Sequence, residues 1–476
     1  MLGERDPRFE LPKEERFAAS VKGKVLKHSQ AIREGIAETL ALLGSRPGAL
    51  ATCSQGKAEL SALLTVRALL ANADWIAWAS IDSHLPMLAE AAPAEFLTCV
   101  EAALLEPATS PFNAIFAQEG SGITGSNHMT GLLWALETLA WHPDHLVRVT
   151  MILGELAAID PGGNWSNRPQ NSLGDIFLPW HFQTCAPLAK RKSAVETLLR
   201  EQPAVGWKLL LDLLPQMHSA TSGNRKPAWR DFIRPDWPSA VTNREYAEQV
   251  AVYAALAVEA AATDMSRLAE LIDRLPDLPG PAHTRVLEHL VSPSVLGLTE
   301  TSRVILWEAL ADLAAKHRKF SDAQWALPPE AVTKIEEVAA KIAPQSSTFL
   351  HRRLFSERDF DLLEEKGDYT EQQRKLAVRR QAAVSDILKD HKTAGLLEFA
   401  RNVPSPEKVG EALGRSDQDT PDSELLPALL DSADNAITAF IRGFIWGRYW
   451  SKGMTWIDAV GTDAWSLHHK TILFSS

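Results

Sequence analysis

Apolar residues recur at spacings of three and four along most of this chain. Ile32, Ile36, Leu40 and Leu43 form one stripe, and Leu132, Leu136 and Leu139 a second. Val149, Ile152, Leu153 and Leu156 form a third, followed by Leu198, Leu199, Val205, Leu209 and Leu213, and by Val304, Leu306, Leu310 and Leu313. That period places the apolar side chains on one face of an α-helix. The intervening Ala, Glu, Lys and Arg favour helix by propensity. No stretch alternates like a strand; Val149-Thr150-Met151-Ile152 comes nearest and sits inside a helical pattern. Helices are predicted over 29–44, 57–72, 83–91, 93–106, 127–141, 145–158, 187–201, 203–214, 243–262, 264–274, 281–291, 299–318, 328–342, 370–391, 393–402, 405–414, 422–432 and 434–451.

Many of the breaks contain proline, as at Glu106-Pro107, Gln202-Pro203, Leu214-Pro215, Leu278-Pro279 and Pro328-Pro329. Proline stops a helix and pre-sets the turn. Some eighteen helices without a sheet leave a bundle or a solenoid. At 476 residues a single core would be too large, so helix pairs stacked in series are expected. The expected fold is all-α: a right-handed α-solenoid of degenerate HEAT- or TPR-like hairpins. It would comprise an N-terminal repeat region, 1–242, and a C-terminal one, 243–476, continuing the solenoid.

Three long loops are predicted: 107–126, 159–186 and 215–242. A helix pair separates the first two, and another pair separates the last two. A hairpin returns the chain to the edge it left, so all three loops should emerge side by side on one edge. Loops of this length are uncommon in compact domains and are often functional. Two of them carry Trp165, Phe177, Trp180, Phe182, Trp229, Phe232 and Trp237, which predicts packed, ordered segments.

Composition narrows the class. The chain holds 49 Lys and Arg against 60 Asp and Glu, a net charge of -11, which weighs against a general nucleic-acid or membrane-surface binder. The three cysteines, Cys53, Cys99 and Cys185, are far apart with no CxxC, so no disulfide framework or zinc module is indicated. The polar start has no apolar signal region, and Val250–Ala262, the most apolar stretch, is broken by Glu259 and is too short to span a bilayer. A cytoplasmic protein without membrane contact is expected.

Candidate motifs are weak. Gly120-Ser121-Gly122-Ile123-Thr124-Gly125 matches GxGxxG, but a dinucleotide site needs a preceding strand, and Ala114-Ile115-Phe116 makes a poor one. No GxxxxGK[ST], GxSxG or HExxH occurs. Asp361 with Glu364-Glu365-Lys366 imitates a nuclease D…ExK but lies in helical, charged text. His142, Asp144 and His145 share a turn without metal-ligand spacing, and His468-His469 is equally bland. The mixed charges of 351–401, including Arg374-Lys375 and Arg379-Arg380, read as a solvated helix rather than a basic groove. No cofactor and no metal are expected.

Two segments stand out. Gly162 to Ser172 is rich in amides and hydroxyls around Trp165 and Arg168, and runs into the apolar Ile176-Phe177-Leu178-Pro179-Trp180-His181. It reads either as a self-bonded loop or as a recognition patch. Arg225 to Trp237 interleaves cations with aromatics, which suits a protein partner, nucleic acid or plain cation–π packing.

Gly131-Leu132-Leu133-Trp134-Ala135-Leu136-Glu137-Thr138-Leu139-Ala140-Trp141, then Ser166 to Leu173 with Ile176 to Trp180, and Val205-Gly206-Trp207-Lys208-Leu209-Leu210, carry a resemblance. In order and spacing they are similar to the helical-repeat region of large bacterial defence proteins: antiviral STAND-type NTPases and their NACHT or SIR2-linked neighbours. The resemblance covers about 107–240. It implies a sensor or scaffold that binds a foreign protein, typically a phage component. The chain departs from the pattern in carrying no NTPase motif and no effector domain.

The expected function is therefore non-catalytic recognition of a protein partner: a phage protein, or the NTPase or effector of a defence system. The expected contact residues are Trp165, Asn167, Arg168, Trp180, His181, Trp229 and Arg230. Replacing Trp165 and Arg168 by Ala is expected to abolish binding and leave the thermal melt nearly unchanged. A second reading is a hydrolase or nucleotide-binding enzyme using Asn167, Arg168, Asp175 and His181 beneath the 159–186 loop. A third is a nucleic-acid-binding repeat protein, which the charge disfavours.

Overall fold

The computed structural model describes all residues except 51, 53, 121–125, 217–219, 222, 358, 360, 361, 363–365, 417–421 and 476. The described residues form helices and no strand, as the apolar stripes predict. They divide into two compact units: residues 1–260 with 277–279, and residues 261–276 with 280–476.

The first unit begins with α1 (Gln30–Ser45), α2 (Lys57–Leu70), α3 (Trp75–Ser80), α4 (Leu85–Ala91), α5 (Pro93–Leu104) and α6 (Pro111–Ala117). It continues with α7 (Thr130–Ala140), α8 (Leu146–Ile159), α9 (Pro169–Phe177), α10 (Leu188–Glu201), α11 (Pro203–Asp212) and α12 (Asn243–Ala261). α1, α4 and α7 pack side by side in that order, and so do α2, α5 and α8, with each pair in contact. α10 follows on α8, and α11 on α10. The close fit of α4 needs glycine at both ends. A Cβ on Gly44 would stand 1.8 Å from the Ala91 carbonyl oxygen, and one on Gly131 1.7 Å from that of Asp82. α12 matches the helix predicted over 243–262. It is tied to the first unit by Gln249, which accepts from Arg191 Nη1 (2.6 Å) and donates to the Pro179 carbonyl (3.3 Å).

Two of the three expected loops contain helices: α6 lies within 107–126 and α9 within 159–186. Pro111 and Pro169 each occupy the first position, where the missing N–H costs nothing. Pro203, which lies in a predicted break, likewise opens α11. Only 215–242 lacks a helix among its described residues.

The second unit holds α13 (Met265–Asp273), α14 (Gly280–Leu290), α15 (Pro293–Leu296), α16 (Glu300–Lys319), α17 (Pro329–Ile342) and α18 (Ser347–Leu350). Then come α19 (Tyr369–Arg401), α20 (Pro406–Arg415), α21 (Asp422–Leu425), α22 (Asn435–Lys452), α23 (Met454–Val460) and α24 (Leu467–Ser475). α19 is interrupted at Lys392, φ 59°, where a break is predicted between 391 and 393. The predicted helix over 422–432 keeps only its first turn, α21, as helix.

α20 and α22 cross backbone to backbone. Gly410 and Gly414 face Gly443 and Gly447, and a Cβ on Gly410 would lie 1.9 Å from the Phe440 carbonyl oxygen. One on Gly443 would lie 2.0 Å from that of Glu407. Below the crossing, the buried Arg448 donates to the carbonyls of Gly414 (3.3 Å) and Ser416 (2.8 Å) and to Asp422 (3.2 Å).

Candidate functional site

The segments 107–126, 159–186 and 215–242 meet in the first unit, as the hairpin argument expects. Trp165 Nε1 donates to the Gly120 carbonyl (3.0 Å), joining the second segment to the first. Asp175 accepts from Thr221 Oγ1 (2.6 Å), and the Gln183 carbonyl accepts from Asn224 Nδ2 (3.0 Å), joining the second to the third. Phe182 packs edge-on against Trp237, ring centroids 5.5 Å apart.

Arg168 is the centre of this junction. It precedes α9, is only 6% exposed, and reaches Asp160 with Nη1 (2.8 Å) and Glu119 with Nη2 (2.5 Å). A guanidinium held between two largely buried carboxylates is a structural pair, and removing one partner strands the others in low dielectric. A Cβ on Gly163 would fall 2.1 Å from Arg168 Nη2, so the glycine, at φ 152°, leaves room for the side chain. Asn167 Nδ2 donates to Thr130 Oγ1 (3.1 Å) at the start of α7, while the Asn167 carbonyl accepts from Asn127 (3.2 Å).

The third segment is clamped by a carboxylate. Buried Glu90, on α4, accepts from the backbone N–H groups of Ala228 (3.0 Å), Trp229 (2.7 Å) and Arg230 (2.9 Å). Arg230 answers in reverse. Its Nε donates to the Glu90 carbonyl (2.5 Å) and its Nη2 to those of Gly44 (2.9 Å) and Ala91 (3.2 Å). It thereby satisfies carbonyls left open where α1 and α4 end. Burial pulls its pKa below the ordinary value. Glu137, on α7, accepts from Ser172 Oγ (2.7 Å) and from Arg225 N–H (3.2 Å). Burial raises its pKa, against the lowering by those two donors.

The seven expected contact residues therefore divide. Arg168 and Arg230 hold the framework together, and Trp165, Asn167 and the backbone of Trp229 are bonded into it. Trp180, 36% exposed beside the part-buried His181, faces solvent. So does Trp134 on α7, 39% exposed, with the Arg225 guanidinium 4.9 Å from its ring. Sequence reasoning missed Glu90, Glu137 and Trp134. The signal for the two acids was legible: each is a lone carboxylate in an otherwise apolar run, Leu85 to Ala92 and Gly131 to Trp141.

Three of the four groups of the enzymatic reading are bonded into the framework. Asn167, Arg168 and Asp175 spend their polar atoms on Thr130, on Glu119 and Asp160, and on Thr221. Among the described residues no three His, Cys, Asp or Glu side chains are grouped to hold a metal. His142 and His145 instead stack around Phe232, centroids 5.0 and 5.9 Å away. Burial first, and the neighbouring His142, push His145 down to about 4. Residues 121–125 of the GxGxxG text, and Asp361 and Glu364-Glu365, lie outside the described residues; Ala114-Ile115-Phe116 belongs to α6, not to a strand. No protein-family model, curated protein or solved structure matches the chain. No described helix is long and apolar enough to cross a membrane.

Proposed function

We propose that this chain is a non-catalytic α-helical repeat protein whose hairpins stack in series as a solenoid. In this reading it recognises a protein partner where its three long segments meet. The carrying observation is the polar framework of Arg168, Glu90, Arg230 and Glu137. It holds irregular backbone in one conformation, so the outward groups Trp134, Arg225 and Trp180 are presented with little backbone ordering cost on binding. Trp and Arg are the side-chain types that anchor interfaces. The successive packing of α1, α4 and α7, with α2, α5 and α8 beside them, supports the stacked reading. The likeness of 131–141, 166–180 and 205–210 to defence-protein repeats supports a sensor or scaffold role in a bacterial antiviral system. The partner is then a phage protein or the system's own NTPase or effector.

The test is affinity capture from phage-infected cells, with the wild-type chain and with Trp134→Ala combined with Arg225→Glu. The expected result is a phage or defence protein retained by the wild type and lost by at least tenfold from the variant. The variant's melting temperature should stay within ~3 °C of wild type, since both side chains are exposed. Equal capture by the two proteins sinks the assignment of this face.

A further inference from the structure

We propose that a cleft in the second unit, between α19 and α20, binds the phosphate groups of a small polyphosphorylated ligand. The cleft encloses about 440 Å³ and is lined by Gln373, Arg374, Arg380, Lys408, Glu411 and Arg415, among others. That is the size range of small-molecule sites. The spacing builds it. Residues 370, 373, 374, 377, 380 and 381 share one face of α19, and 408, 411, 412 and 415 share the facing side of α20. Ala377 and Ala412 also line the cleft, and their short side chains take up little of its space.

The lining is a set of donors. Four cations meet one carboxylate, Glu411, and behind them stands Asp359. Asp359 accepts from Arg380 Nη2 (2.5 Å) and from Lys408 Nζ (2.8 Å). Arg380 is further fixed by the Leu354 carbonyl (2.8 Å), and Lys408 by that of Ser356 (2.8 Å). Two cations are thus pre-positioned by a shared carboxylate, which lowers the ordering cost of binding an anion. Arg415 pairs with Glu411 (2.8 Å), but its buried Nε has no partner. Arg374 is exposed and has no ion pair among the described residues. Counting both carboxylates, the described residues of the cleft keep an excess of two positive charges in a chain whose net charge is -11.

Guanidinium forks match phosphate oxygens, and several cations around one cleft suit several adjacent phosphates. Among the described residues the lining contains no aromatic ring on which a base could stack, and the strongly acidic chain repels a long polyanion. Both points favour a small ligand over a nucleic-acid strand. The cleft lies outside the three-segment junction, so this proposal stands or falls independently of partner recognition.

The experiment is calorimetric titration of the full chain with inorganic tripolyphosphate at ~150 mM salt, where surface electrostatics are largely screened. One saturable site is expected. Arg374→Glu and, separately, Arg415→Gln should each weaken it by at least about tenfold. Lys208→Glu, exposed on α11 in the first unit, should leave it unchanged. The ligand-free melting temperature of the Arg374→Glu protein should match wild type, which separates lost binding from lost folding. The proposal is overturned by no saturable binding, by unchanged binding in both cleft variants, or by tighter binding of a single-stranded oligonucleotide than of tripolyphosphate.

Discussion

The three-segment junction of the first unit and the α20–α22 crossing of the second solve opposite problems. At the junction the backbone is irregular, so its N–H and C=O groups need partners from side chains. Glu90 serves three N–H groups and Arg230 three carbonyls, and Arg168 binds carboxylates from two segments. At the crossing both helices satisfy their own backbones, and the difficulty is steric. Four glycines bring the helix backbones into contact. One region is held by buried polar chemistry and the other by the absence of side chains. The first should fail when a charge is stranded, the second when a methyl is added.

The largest effect is expected at Arg168. Replacing it by Ala leaves Glu119 and Asp160 largely buried without their cation, a loss of roughly 3–5 kcal/mol in urea unfolding. This reverses the expectation that the Trp165 and Arg168 pair could be truncated without a change in melting. Removing all three charges together, with Arg168→Met, Glu119→Gln and Asp160→Asn, should recover part of the loss. A triple variant less stable than Arg168→Ala alone would break the account of the junction as a charge problem.

A smaller but still large effect belongs to the crossing. Gly410→Ala forces α20 away from α22, because the new Cβ would stand 1.9 Å from the Phe440 carbonyl oxygen, and backbone cannot step aside. About 2–3 kcal/mol is expected, the cost of overpacking a tight contact. Gly35→Ala is the control: it lies in the middle of α1 with open space around it, and should gain up to ~1 kcal/mol from helix propensity. Equal changes at the two positions would mean that the glycines of α20 are incidental.

Much of this was legible in the sequence, and the illegible part has a physical pattern. Long helices announced themselves by period, from α1 to α22, and even the interruption of α19 at Lys392 fell where a break was read. Short helices did so unevenly: α4 and α13 fall within the predicted 83–91 and 264–274, whereas α3, α6, α9 and α23, also under three turns, carry too little of a stripe to repeat. The meeting of the long segments followed from hairpin geometry. Which residues held that meeting together did not, because Arg168 and Arg230 look alike as text whether they face a partner or a buried carboxylate. The glycine pairs 410/414 and 443/447 were visible as four-residue spacings, but that spacing gives no sign of which helix will lie against which. The cation-lined cleft was read as a solvated face for a related reason. One helix supplies only Arg374 and Arg380, and the site appears when α20 brings Lys408 and Arg415 opposite.

The smallest effects sharpen the contrast through pH. Asp82 lies against the start of α7, accepting from Gly131 N–H (2.8 Å), and burial outweighs that bond to push its carboxyl up to about 6. Its folded-state pKa is raised above 3.8. Its contribution to stability is therefore complete below pH 3.8 and is lost as pH rises through 6. His128 runs the other way. Burial, and then the charges of Arg8 and Arg16, push it down to about 4, so its contribution is complete above 6.5 and is lost as pH falls through 4. Each swing is on the order of 2 kcal/mol between pH 4 and 8. In the wild type the two slopes oppose each other and partly cancel. They separate in the variants: relative to wild type, Asp82→Asn should gain stability as pH rises from 4 to 8, and His128→Gln should gain as it falls. Both residues belong to the first unit, and the atoms nearest the four glycines of the α20–α22 crossing are all backbone. A Gly410→Ala penalty measured at pH 4 and at pH 8 should therefore be the same within ~0.5 kcal/mol. A penalty that tracked pH would place polar chemistry in the one contact here assigned to shape alone.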